Sequence, residues 1–300
     1  MSHKPLKPAR ISRTFTLAAL LLTAIALSAG TAGAQSNTQS NTQTNTKSKA
    51  QSKVQSKKVP SPKFDAGATL NLAIRQPMLV ERITKAHTLI AQKVLELRSR
   101  RQLDDSTAEF EKALKELLAK APTAEIKDNY QLLEQLWEEY KSLAKQVVDP
   151  QKNKLLAEQN EEVVWIAQKG AMQLAEHSKS QRSELITAAG DVRTLTQRIA
   201  KLYLFRSGGV RNQVIDEDLV KAEQEYRTNM EKLLKAPQNT LQIESELALA
   251  ETQYLFLKQA IEQLNKDKLS KTGLEHVTKA CDNILEVMER VTKLYESIKA

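Results

Sequence analysis

A helical motif occurs twice in this chain, 116 residues apart, and such a duplication constrains the fold more than any other feature of the sequence. The first copy spans residues 72–85 and the second spans residues 188–201. Residues of the first copy that reappear in the second are Leu79, Arg82, Ile83 and Lys85, as Leu195, Arg198, Ile199 and Lys201. The repeat predicts two similar helical units in tandem.

The N-terminal segment has the order of a secretory signal peptide. Four basic residues precede an apolar run at residues 15–27, and an A-x-A cleavage site ends at Ala34. We therefore expect residues 1–34 to be removed after Ala34 and the mature protein to be periplasmic; an uncleaved anchor is the alternative. Residues 35–63 are rich in Gln, Ser, Asn, Thr and Lys and have almost no apolar residue, which is typical of a disordered linker.

The basic character of the chain resides in this N-terminal part. Residues 1–63 contain ten Lys and Arg and no acidic residue, whereas residues 64–300 contain 35 basic and 36 acidic residues. The region expected to fold therefore has no overall positive field, and we expect no nucleic-acid partner.

Apolar residues recur at alternating spacings of four and three residues, the pattern of helices packed nearly parallel in a bundle. Three such stripes run through residues 126–147, 243–264 and 277–298, and the first two are offset by 117 residues. The sequence has no strong helix stop between about residues 151 and 206. We predict an all-α fold of two tandem up-and-down four-helix bundles, residues 64–182 and 183–300, that share one long central helix. The capping-box pattern at residues 106–109 predicts that a short helix begins there.

The residues offer little chemistry of the kind that enzymes use. No His has a His or Cys four residues away, and no phosphate-binding loop or nucleophile motif occurs. Cys281 lies on the third apolar stripe, which predicts a buried structural cysteine. We therefore expect no catalytic activity, no metal and no cofactor.

The arginines of the motif are distinctive because they lack an acidic residue three or four positions away. They are Arg75, Arg82, Arg193 and Arg198. Either they pair with acidic residues of other helices, or they are available to bind an oxyanion through the guanidinium group. Arg193 lies about 100° around the helix from the core residue Val192, and Gly190 lies one turn before it. This arrangement is typical of a ligand pocket completed by a second surface.

The second copy, from Gly190 through Arg193 and Arg198 to Tyr203, resembles the motif of the N-terminal domain of type IV pili methyl-accepting chemotaxis transducers, the PilJ-type domain. It is also similar to the sensing domain of NarX-like nitrate/nitrite sensor kinases. The resemblance implies a periplasmic helical sensor in which Gly190 and Arg193 contact an anion at a dimer interface, and we add Arg198 to these candidate ligand-binding residues. The first copy matches the family pattern at Asn71, Leu72, Ala73, Arg75, Gln76, Met78, Leu79, Arg82 and Lys85.

The first copy differs from this pattern at the candidate anion site. Ile74 replaces the glycine and Pro77 replaces the first arginine, and in the second copy Asp191 occupies the position of Arg75. We predict a sensory module without its own output domain that binds a small oxyanion such as nitrate or nitrite. The alternative is an interaction bundle for proteins of a type IV pilus, chemotaxis or envelope complex, with no small ligand. The candidate partners are thus a small anion, a membrane sensor or pilus protein, and a second copy of the chain.

Overall fold

Good helix formers dominate the sequence after residue 64, and the chain folds into helices throughout the part that the structure describes. The computed structural model describes residues 66–146, 150–209, 213–266 and 268–298. Within these ranges there are eight α-helices and no strand, which confirms the all-α prediction. The predicted signal peptide, residues 1–34, and the predicted linker, residues 35–63, lie outside the described residues. The helices are α1 Ala66–Ala91, α2 Glu96–Lys120, α3 Ala124–Ala144, α4 Pro150–Ser178, α5 Gln181–Ser207, α6 Gln213–Leu234, α7 Leu241–Lys266 and α8 Lys271–Ser297.

The helices form two rings of four. In the first, α1 packs along α2 and α4, and α3 closes the ring against both of these; in the second, α5, α6, α7 and α8 pack in the same order. The predicted apolar stripes face the bundle interiors: Tyr130, Trp137, Leu247 and Met288 are all buried.

The prediction of one continuous central helix is wrong. Helix α4 ends at Ser178, Lys179 has a left-handed backbone with φ of 36°, and α5 begins at Gln181. The Ser180 side chain caps α5 by accepting a hydrogen bond from the Ser183 amide at 3.1 Å. Hydroxyl side chains in this polar stretch thus satisfy the amides that a continuous helix would have used. The two bundles share no helix.

The prediction of a short second helix is also wrong. Helix α2 begins at Glu96, and Ser106 is buried in its interior rather than at its N-terminus. Packing of α2 along α1 overrides the local capping signal.

The two bundles instead meet through the motif helices α1 and α5, which pack side by side in parallel. Residue numbers increase in the same direction along both helices: Arg193 contacts Asn71 at one end, and Ser207 contacts Gln92 at the other. Ile74 faces Gly190, its own counterpart in the repeat. Equivalent positions of parallel helices face each other when a two-fold axis runs between them, so the two copies are related by an approximate internal two-fold axis.

Two aromatic pairs support this correspondence between the copies. The rings of Phe110 and Trp137 stack with centroids 3.9 Å apart, and those of Tyr226 and Tyr254 stack at 4.5 Å. Tyr226 follows Phe110 by 116 residues, and Tyr254 follows Trp137 by 117 residues. Each pair lies between the second and third helices of its bundle. Each bundle thus repeats this aromatic contact of the other.

Candidate functional site

The motif helices approach each other closely at Gly190. A Cβ atom at this position would lie 1.7 Å from Cγ2 of Ile74, so a side chain here would force α1 and α5 apart. The glycine predicted to open space for a ligand therefore accommodates the isoleucine of the first copy.

Arg193 is completely buried at this junction. Its Nη1 lies 3.0 Å from Oε2 of Glu289 on α8, and its Nη2 donates a hydrogen bond to Oδ1 of Asn71 on α1 at 2.7 Å. The second surface predicted for this residue is thus supplied by the first copy of the same chain and by α8. Because α1 covers the flank of α5 that carries Arg193, the residue is buried at the junction of the two bundles.

Arg75 joins the same cluster from the opposite motif helix. Its guanidinium forms salt bridges with Glu109 on α2 and with Glu289. Burial opposes ionisation of Glu289, but attraction to Arg193 and Arg75 outweighs it and holds the pKa of that carboxyl below its ordinary value. One internal carboxylate therefore lies between two guanidinium groups, in the place where the family resemblance implies an external anion.

A second ionic cluster surrounds Arg198, the third candidate site residue. Its Nη1 lies 2.9 Å from Glu81 of α1 and 2.8 Å from Glu161 of α4, and its Nη2 lies 3.3 Å from Asp218 of α6. Lys201, one turn further along α5, contacts the same Glu81 at 2.7 Å, and the side chains of both are fully buried. This cluster therefore connects four helices around the buried pair of Glu81 and Lys201.

A third cluster lies on the other side of the motif helices. Nζ of the buried Lys85 lies 2.5 Å from Asp282 of α8, whose second oxygen lies 2.9 Å from Arg98 of α2. Although burial opposes its ionisation, attraction to Lys85 holds the pKa of Asp282 below its usual range. Lys85 and Lys201 are counterparts in the repeat, so both copies bury the lysine of the motif against a carboxylate.

These contacts agree with the cross-helix interpretation for three of the four motif arginines. Arg75, Arg193 and Arg198 all pair with acidic residues of other helices, which is the cross-helix alternative. The sequence provided no signal for Glu289, whereas the missing acidic neighbours did identify Arg75. A ligand-binding role for Gly190, Arg193 and Arg198 remains a prediction.

Cys281 is buried, as predicted, and burial raises the pKa of its thiol to about 12. Such a thiol is unreactive at neutral pH. Among the described residues no group of three His, Cys, Asp or Glu side chains could hold a metal ion. No helix in the described part of the chain is long and apolar enough to cross a membrane.

The fold and its ionic core define an all-α module in which two motif helices pair across an internal two-fold axis. Residues 65–162 match the family model of the type IV pili methyl-accepting chemotaxis transducer N-terminal domain, PilJ. This segment covers α1 to α3 and the first part of α4, and the match confirms the resemblance for the first copy. It indicates a sensory helical domain of the chemotaxis-transducer type. No significant match was found to a curated protein or to a solved structure.

Proposed function

We propose that this protein is a helical sensory module for type IV pilus chemotaxis, acting in the periplasm, in which two PilJ-like copies pair within one chain. The observation that carries the proposal is the parallel packing of α1 and α5 around Glu289, Arg75 and Arg193. In this arrangement one polypeptide supplies both surfaces of the interface where the family resemblance implies that an anion binds.

We propose further that a small oxyanion such as nitrate or nitrite acts by competing with Glu289. A planar oxyanion offers the guanidinium groups of Arg75 and Arg193 the same kind of acceptor as a carboxylate. Displacement of Glu289 would free one attachment of α8 to the motif helices, and a shift of α8 would be the output. A ligand changes a conformational equilibrium only through different affinities for its states, and this competition supplies such a difference.

The test is calorimetric titration of the full chain with nitrate and nitrite, comparing wild type with Glu289→Gln. Removing the competing carboxylate is expected to tighten anion binding by about tenfold to a hundredfold, the equivalent of one charge-assisted hydrogen bond. Glu286→Gln is the matched control, because this residue lies one turn earlier on α8 and is exposed. Melting curves establish that each variant is folded.

Adding Arg193→Ala to Glu289→Gln should remove the binding gained. Equal anion affinity of wild type and Glu289→Gln would contradict the competition. An absence of binding by both at millimolar anion would favour the second candidate, an interaction bundle for pilus or chemotaxis proteins. That candidate is favoured by one specific observation, the ion pairs that Arg193 and Arg198 already make with acidic residues of the same chain.

The periplasmic location rests on the N-terminal sequence, and it has its own test. N-terminal sequencing of the protein recovered from the periplasmic fraction is expected to start at Gln35, directly after the A-x-A site. Substituting Ala34 by a bulky residue should slow this processing. A mature protein that begins near Met1 would instead indicate a membrane-tethered form.

A further inference from the structure

A groove runs between α4 and α6, on the face of the motif-helix pair opposite Glu289. Its floor is formed by α1 and α5, and it encloses a cavity of about 650 Å³. A second cavity of about 530 Å³ continues from it toward the start of α5, and the two share Thr187, Asp191 and Asn229. This volume is in the range of sites that hold small organic molecules.

The internal two-fold axis relates this groove to the one between α2 and α8. There, Arg75 fills the space between two carboxylates, Glu109 and Glu289. At offsets of 116 and 117 residues, the counterparts of these three residues are Asp191, Glu225 and Met172, and all three line the cavity. One groove therefore contains its own cation. In the other groove Asp191 replaces that cation, Glu225 is the retained carboxylate, and Met172 replaces the second carboxylate.

Asp191 has neither a salt bridge nor a side-chain hydrogen bond among the described residues. Burial and repulsion from Glu225 raise the pKa of its carboxyl to about 6. Glu225 has only a loose pairing, 3.9 Å from the exposed Lys221. The other three acidic residues of the cavity are held by internal cations: Glu81, Glu161 and Asp218. Asp191 and Glu225 are therefore the most weakly paired acidic residues of the cavity.

Exposed apolar side chains line the α4 wall of the same cavity. The side chains of Trp165 and Met172 are 61% and 58% exposed, although both line the groove. Leu195 adds apolar surface from the floor. The face of a tryptophan ring attracts cations, and its only described cation is Lys169 at 6.0 Å from the ring centroid.

We propose that this groove binds a small organic cation, with a guanidinium or ammonium group between Asp191 and Glu225 and an apolar body against Trp165 and Met172. The bound cation lies beside Glu225, as Arg75 lies beside the equivalent Glu109 in the related groove. The site is distinct from the Glu289 cluster. A negative result for cation binding would therefore not refute anion competition at Glu289, and the reverse also holds.

The experiment compares N-acetyl-arginine amide with N-acetyl-citrulline amide, which differ in the charge of the guanidinium and ureido groups. Titration of the full chain is expected to give at least tenfold tighter binding of the arginine compound. Asp191→Asn should abolish this preference, and Glu134→Gln, an exposed acid on α3, should preserve it. Equal binding of the two compounds, or an unchanged preference in Asp191→Asn, would refute the proposal.

Asp191→Arg provides a second and independent arm, because it restores the residue type found in the first copy. The introduced guanidinium should bridge to Glu225, raise the melting temperature and eliminate binding of N-acetyl-arginine amide. A variant that still bound the compound at wild-type affinity would contradict the assignment of the site. If N-acetyl-arginine amide does not bind at about 10 mM but a basic peptide does, the small-ligand proposal is refuted. The groove would then be assigned to a protein partner.

Binding of the arginine compound should also weaken as the pH falls through about 6, because protonation removes the charge of Asp191. The compound itself stays charged throughout this range. The charged groups that share this cavity with Asp191 or act on its pKa come from four helices: Arg193 and Arg198 on α5, Asp218, Lys221, Glu225 and Lys232 on α6, Glu161 on α4 and Glu81 on α1. A pH-independent affinity between pH 5 and 7.5 would argue against Asp191 as the binding group.

Discussion

Glu81→Gln is expected to destabilise the protein by about 3–5 kcal/mol, because it removes a fully buried carboxylate from two cations. Lys201 is also fully buried and lies 2.7 Å from Glu81, and Arg198 lies 2.9 Å from it. Glutamine preserves the shape but leaves Lys201 dependent on Glu161 at 2.8 Å. For a domain of this size the melting temperature should fall by on the order of 10 °C, measured by calorimetry or circular dichroism.

The matched control for this variant is Glu134→Gln, an exposed acid without an ion pair among the described residues, which should change stability by less than about 0.5 kcal/mol. A double variant, Glu81→Gln with Lys201→Met, should recover part of the loss, because it removes the stranded charge as well. Additive effects of the two substitutions would show that the pair is not coupled and would contradict this account of the cluster.

The second large loss of stability is expected for Asp282→Asn. Asp282 is the carboxylate that compensates Lys85, whose side chain is fully buried, and the two lie 2.5 Å apart. Without it a buried ammonium loses its counter-ion, and we again expect a loss of about 3–5 kcal/mol at pH 7. Arg98 would lose its contact with Asp282 too, but its side chain is 48% exposed and this adds little.

The pH dependence of this loss identifies its cause. Burial without a counter-ion lowers the pKa of a lysine, so folded Asp282→Asn should release a proton from Lys85 at a pH where the unfolded chain retains it. The unfolded state then binds more protons, and stability of the variant rises with pH toward the ordinary lysine pKa. In the wild type the pKa of Lys85 is lowered as well, because burial outweighs the attraction of Asp282. The stability deficit of the variant should therefore shrink as the pH rises from 7, and become constant where wild-type Lys85 also releases its proton. A deficit that is constant with pH would attribute the effect to lost packing.

In the wild type, Asp282 also makes the stability depend on pH in the acidic range. The depressed pKa of Asp282 contributes stability that is present above the unfolded-state value near 4 and is lost as the pH falls through the lower folded-state value. Asp282→Asn should remove this part of the acid sensitivity. The difference in stability between wild type and Asp282→Asn should accordingly become smaller below about pH 4.

The local pattern of the sequence was sufficient to predict the all-α class and the buried faces of the helices. The four-three spacing that contains Tyr130, Trp137 and Met288 predicts which side of each helix is buried, and these residues are in the core. The duplication predicted that the two halves would have the same internal packing, as in the stacked pairs Phe110–Trp137 and Tyr226–Tyr254. Periodicity reports the face of a helix because burial of apolar side chains depends on a position's angle around the axis.

Local pattern could not predict how the two bundles are joined. The uninterrupted helical character of residues 151–206 suggested one shared helix, but the turn at Lys179 and Ser180 separates α4 from α5. Packing of α1 against α5 buries two apolar faces that an end-to-end arrangement would leave exposed. The cost of one broken helical turn is small compared with the burial of such an interface.

The partners of the motif charges likewise depended on tertiary structure alone. Missing acidic neighbours identified Arg75, Arg193 and Arg198 as unusual, but the acid that faces Arg193 is 96 residues away on α8. Nor did the sequence predict that Asp191 would lie in an open groove while its counterpart Arg75 fills the related one. Ion pairs between helices have no fixed spacing in sequence, because the packing of the helices determines which side chains meet.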